Sequence, residues 1–146
     1  MRGVTSTHLL ASACALVALA GCETIAEEVN DAVGYEYYAP LAASSGGTGS
    51  GRAEISLNDA TNTICTDLEL GAGVTMTAGH IVGPGGAVIA DLEVPDANDR
   101  DNDSDECDST TDAVIDGIRA NPGAYSVHIA ASTGDLLGTL RNEPNN

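Results

Sequence analysis

Two neighbouring stretches, residues 52–58 and 63–70, constrain the fold most. In the first, Ala53, Ile55 and Leu57 alternate with polar residues. In the second, Ile64, Leu68 and Leu70 share one parity while Cys65, Asp67 and Glu69 share the other. A period of two sends successive side chains to opposite faces of a strand. The intervening Asn58-Asp59-Ala60-Thr61-Asn62 is turn chemistry, so the pair reads as two strands with one buried face.

The same logic extends along the chain. Apolar runs cover residues 74–82 and 87–94, split by Gly83-Pro84-Gly85-Gly86, and Val88, Ala90, Leu92 and Val94 share one face of the second. Tyr125, Val127 and Ile129 alternate again, and residues 136–141 read as the last strand. Tyr35-Glu36-Tyr37-Tyr38 opens a first strand that Pro40, lacking an N–H, would confine to a sheet edge. Val114, Ile115 and Ile118 instead have helical spacing, which predicts a short helix over residues 112–120, stopped by Asn121-Pro122-Gly123. Residues 44–51 read as a flexible loop and residues 96–112 as a strongly acidic one. With four Tyr and neither Phe nor Trp, the core must be built from Val, Ile, Leu and Ala. The expectation is an all-β antiparallel sandwich with one short helix.

The first residues read as an address. Arg2 precedes an apolar stretch over residues 9–20, too short to span a bilayer as a helix, and the stretch ends Leu19-Ala20-Gly21-Cys22. This resembles a prokaryotic lipobox, with Cys22 as the lipid acceptor; the alternative is an ordinary secretory peptide with a Cys nearby. Glu23 stands where an inner-membrane retention signal typically places Asp, which favours the outer membrane or cell surface. The expected organisation is a signal peptide at 1–21, a tether at 22–34, one domain at 35–141 and a tail at 142–146. The membrane is then a partner through the lipid anchor, facing an extracytoplasmic space. Setting aside Cys14 in the signal and Cys22, Cys65 and Cys107 remain. In an oxidising compartment they most simply form one disulfide, the alternative being two free thiols.

Charge excludes one class of partner. With 22 Asp+Glu, five Arg and no Lys, the 146-residue chain carries a net charge of −17 and has no cationic footprint for nucleic acid. A dense acidic surface of this kind resembles that of proteins adapted to high salt. Within residues 96–112, Asp99, Asp101, Asp103 and Asp105 alternate, followed by Asp112. Converging carboxylates suit calcium. Position six of an EF-hand numbered from Asp101 is Glu106, where that loop needs Gly, so any calcium site here is irregular. The competing reading is a solvated charge run. His80 and His128 are the imidazoles of the mature chain and form the other candidate metal site, for a transition metal. A catalytic zinc takes three protein ligands, so a carboxylate such as Asp91 or Asp135 would have to join them. By plain alternation His80 shares a face with Met76, Ala78 and Val82. No nucleophile triad or phosphate loop is present, and the expected role is non-enzymatic. Tyr35, Tyr37 and Tyr38 cluster as candidate partner contacts, with core or tether packing as the rival reading.

Three segments together resemble the CHRD domain. Residues 79–88 (GHIVGPGGAV) are similar to the family's His-Ile-His-Gly-Pro segment and following strand. Residues 121–128 (NPGAYSVH) are similar to its Tyr-x-x-x-His segment, and residues 134–140 (GDLLGTL) to its closing Gly-Glu-Ile-Arg-Gly-x-Leu. The resemblance covers about residues 35–141. It implies an immunoglobulin-like β-sandwich, often outside the cell, binding an extracellular or envelope protein. Val82 replaces the family's second His and Leu137 its Arg, so no activity of that His pair or Arg carries over.

Overall fold

The computed structural model describes residues 36–44, 46–95 and 103–144. The signal peptide, Cys22, the tether, Tyr35, Asp99 and Asp101 lie outside these residues. The hairpin forms as its alternation requires: β2 (Ser50–Asn58) pairs antiparallel with β3 (Thr63–Leu70), Ala53 opposite Leu68 and Leu57 opposite Ile64. In the turn, the Asn58 side chain accepts the N–H groups of Ala60 and Thr61 at 3.0 and 3.2 Å.

The remaining strands are β1 (Tyr37–Ala43), β4 (Met76–Val82), β5 (Val88–Leu92), β6 (Asp103–Ser109), β7 (Ser126–Ala131), β8 (Leu136–Thr139) and β9 (Arg141–Asn142). All pair antiparallel in one sheet of order β5-β4-β7-β8-β1-β2-β3-β6, with β9 beside β1. The fold is therefore all-β, as the alternation predicts. Its sheet curls into a near-barrel around Ile55, Ile64, Leu68, Ile81, Val127, Ile129, Leu136 and Leu140, each almost wholly buried.

The helix α1 (Asp112–Ala120) has the predicted span. The Thr111 hydroxyl accepts the Val114 N–H, and Asp112 and Arg119 sit at the ends where the helix dipole favours them. Ile115 and Ile118 enter the core, and Arg119 grips both oxygens of Asp59 at 2.7 Å, tying the helix to the β2–β3 turn.

Three local expectations change. Pro40 is not on an edge, because β1 lies between β2 and the β8–β9 pair. On that second side β9 pairs with Tyr37 and Tyr38 and β8 with Ala42 and Ala43, so Pro40 occupies the gap where no N–H is required. Met76 is buried rather than beside His80. A bulge between Met76 and Ala78 gives β4 one extra residue and moves Met76 to the core face. The tail begins later than residue 142, since Glu143 bonds Arg52 at 2.7 Å and its N–H reaches Glu36 O at 2.9 Å.

The acidic stretch is the largest change: residues 103–109 form a strand, not a loop. β6 pairs with β3 in a register that sets Cys65 directly opposite Cys107, and the two are joined by a disulfide with Cα atoms 4.0 Å apart. Its core-side positions, opposite Leu68, Thr66 and Ile64, carry Ser104, Glu106 and Asp108. These polar residues meet the free edge of β5. Asp108 Oδ2 accepts the Asp91 N–H at 2.9 Å, the Ser104 hydroxyl donates to Glu93 O at 3.1 Å, and Glu106 accepts from the Glu93 backbone. Side chains thus satisfy an edge whose backbone would otherwise lack partners, and close the near-barrel.

Burial, then the carboxylates of Asp108, Glu93 and Asp91, push the Glu106 carboxyl above its ordinary range, against the lowering effect of the Glu93 hydrogen bond. A carboxyl raised on folding contributes stability that is fully present below its unfolded pKa and is lost as pH rises through its folded value. Glu106→Gln keeps an acceptor for Glu93 without the charge. Its melting temperature is expected to exceed that of the native protein at pH 7, the gap shrinking towards pH 4. Parallel melts at both pH values check this, and an unchanged gap would remove Glu106 as its cause.

Candidate functional site

An acidic row and a groove lie side by side on the outer surface. Glu54, Asp67 and Asp105 occupy facing positions across β2, β3 and β6, forming an acidic row on one flank. Arg52 is absorbed there. It bonds Glu54 and Glu143, and its guanidinium lies 4.6 Å over the Tyr38 ring.

Next to this row, on β1, β7 and β8, lies a groove of about 580 Å³ lined by Pro40, Ala42, Ser126, His128, Leu137 and Arg141 among others. It exists because β8 leaves β1 after two register pairs, Leu140 turning inward where its N–H bonds Tyr125 O at 3.0 Å. Gly138 allows the approach that remains, since a Cβ there would sit 2.7 Å from Pro40 O. Leu137 is 43% exposed on the groove wall. Arg119 and Arg52 are engaged with Asp59, Glu36, Glu54 and Glu143, whereas Arg141 has no ion pair among the described residues. The groove therefore carries an available guanidinium, an imidazole and the Ser126 and Thr139 hydroxyls within a strongly acidic molecule.

Beside the groove, the strands bring the candidate imidazoles together. His80 is the register partner of His128 across β4 and β7, and Asp91 of β5 is the register partner of His80 on its other side. His80 Nδ1 lies 2.8 Å from Asp91 Oδ1, and His128 Nε2 lies 2.9 Å from Ser126 Oγ. No three His, Cys, Asp or Glu side chains converge on a metal position among the described residues. Asp135 lies in the β7–β8 turn, where its carbonyl accepts the Ser44 N–H at 2.8 Å.

Among the described residues, the acidic and aromatic candidates fall on separate elements. Asp103 and Asp105 belong to β6, whose extension sets alternate residues about 6–7 Å apart, and Asp112 opens α1. Tyr37 and Tyr38 fall on opposite faces of β1. Tyr37 is 7% exposed within the core, and burial followed by the Glu36 charge raises its phenol pKa, so the residue is not a contact. Tyr38 is half-buried beneath Arg52.

The groove residues Ser126, Thr139 and Arg141 escaped the sequence reading. Their meeting with Pro40 depends on a β1–β8 contact between residues about 100 apart, and no local pattern marks it. A signal for Arg141 existed in its charge, since cations are so few in this chain. Among known proteins, no family, no curated protein and no solved structure matches the chain.

Proposed function

We propose that the chain is a lipid-anchored, extracytoplasmic, non-enzymatic binding module of CHRD type, which takes an extracellular or envelope protein on the β1–β7–β8 groove. The observation that carries this reading is a cation left available on the groove. In a chain of net charge −17, the one described Arg without an ion pair lies in a groove with exposed Leu137, across Tyr38 from Glu54 at the end of the acidic row. An apolar wall beside an available guanidinium suits a protein segment that offers a hydrophobic side chain and a carboxylate. The CHRD reading is supported by the placement of the three resembling segments, which fall on β4, on the start of β7 and on β8, all contiguous in the sheet.

Two experiments test it. The mature protein should begin at Cys22 and carry acyl mass, and Cys22→Ser should release the protein from the membrane fraction. Unmodified, membrane-retained Cys22→Ser protein would remove the lipid anchor from the account. For the groove, Arg141→Glu is expected to weaken the complex isolated from the envelope at least about 10-fold. That corresponds to the loss of a charge-assisted contact of 1.5–3 kcal/mol, of order one tenfold step per 1.4 kcal/mol. Equal recovery of the complex from native and variant protein would place the binding surface elsewhere.

A further inference from the structure

We infer that His80 and His128 form a two-imidazole site for a borderline divalent cation, Cu²⁺ above all, with Asp91 positioning the first imidazole. This site shares His128 with the groove, but the inference does not rest on protein binding there. Residues directly opposed across an antiparallel pair and on one face hold their Cβ atoms about 4.5–5.5 Å apart, close enough for two imidazoles to share one ion. His80 and His128 have that relation, on the outer flank and open to solvent. The His80 side chain is 43% exposed, so an ion reaches it without unfolding.

Asp91 gives the site direction. Its carboxylate, 2.8 Å from His80 Nδ1, holds the proton on that nitrogen and leaves the Nε2 lone pair to ligate. A carboxylate behind a ligating imidazole fixes its tautomer and keeps it oriented. His128 touches only a neutral hydroxyl, Ser126 Oγ at 2.9 Å, which a metal–nitrogen bond readily displaces. The β5 backbone beneath Asp91 is itself held, since the Asp91 N–H donates to Asp108 Oδ2 across the seam.

Two nitrogen donors with open positions exclude calcium and magnesium, which take oxygen ligands. They suit Cu²⁺, Ni²⁺ and Zn²⁺, with Cu²⁺ held most tightly at a given nitrogen site. The surrounding negative charge concentrates cations near the surface without selecting among them.

The test is a Cu²⁺ titration of the full chain in detergent, in 0.5 M NaCl to screen the carboxylates. His8→Gln is present in every variant, so that only two imidazoles remain. Chelator competition gives affinity, and electron paramagnetic resonance reports the nitrogens bound. The expected result is one Cu²⁺ per chain with two coordinated imidazoles. His80→Gln and His128→Gln should each weaken binding at least about 10-fold, and Asp91→Asn about 10–100-fold, with Asp91→Glu restoring most of it. Thermal melts show whether each variant is folded. Wild-type affinity in the folded His80→Gln/His128→Gln double variant, or a spectrum with oxygen donors alone, would overturn the site. Unchanged affinity in Asp91→Asn would overturn the role of Asp91.

Discussion

Cys107→Ser should lower the unfolding free energy by about 3–4 kcal/mol, as expected in the chain-entropy account for a cross-link between residues 42 apart in sequence. In a domain of this size the melting temperature should fall by on the order of 10–20 °C. β6 is where the loss will be felt first. Among the described residues it ladders with β3 alone, where Asp67 stands opposite Asp105. On its other side, among the described residues, it reaches β5 and the chain just after it through Ser104, Glu106 and Asp108. With the covalent tie gone, hydrogen exchange should accelerate at β6 and at the Asp91 N–H before it does in β2 or β7. Sodium chloride at 1 M should restore part of the stability by screening the acidic row. Equal urea midpoints for the native and variant proteins would contradict this description of β6.

The second large effect lies in the core between β4 and β7. Ile129 is 1% exposed, and Gly79 sits opposite it in register. A Cβ on Gly79 would lie 2.8 Å from Ile129 Cδ1 and 2.5 Å from Met76 Cε, so that space is already full. Ile129→Ala removes the methyls and leaves a cavity, at an expected cost of about 2–5 kcal/mol. Gly79→Ala alone overpacks the same spot, at an expected cost of about 1–3 kcal/mol. Combined, the new methyl enters the volume the isoleucine vacates, so the double variant should be more stable than the sum of the two losses predicts, by at least about 0.5 kcal/mol. Denaturant unfolding of the four proteins measures the cycle. Simple additivity would mean that the two side chains do not compete for space.

How far each feature could be read in the sequence follows from where its cause lies. The β2–β3 hairpin and α1 are written locally, the first in alternation and turn residues, the second in apolar spacing stopped by Asn121-Pro122-Gly123. β6 is not. Its core-side positions hold Ser104, Glu106 and Asp108, where a strand pattern calls for apolar residues, and Asp is depleted in strands. What makes it a strand is long-range, namely the β3 register and the Cys65–Cys107 bond. The pairing of the cysteines is nevertheless legible, since two remain once the expected signal peptide and lipid acceptor are set aside. Alternation assigned Met76 the wrong face because a bulge adds one residue, which a strict period of two does not register. Pro40 was assigned to an edge by a sound rule, but a gap between two short partners satisfies that rule as well as an edge does.

The candidate site was legible by residue type more than by place. His80 and His128 stood out as imidazoles, and Asp91 was one of two carboxylates considered beside them. Only the β5-β4-β7 order sets the three in a row. The groove had no sequence signal beyond the scarcity of cations, because it forms where β8 parts from β1.

Site-specific photocrosslinking in living cells tests the central claim most directly. A photoreactive residue is placed at Leu137 in the groove wall or at Glu69 on the acidic flank of the full chain. Capture of one discrete envelope protein from Leu137, lost on Arg141→Glu and absent from Glu69, is the result predicted for a binding module that uses the β1–β7–β8 groove. Capture from Glu69 with none from Leu137 would contradict it.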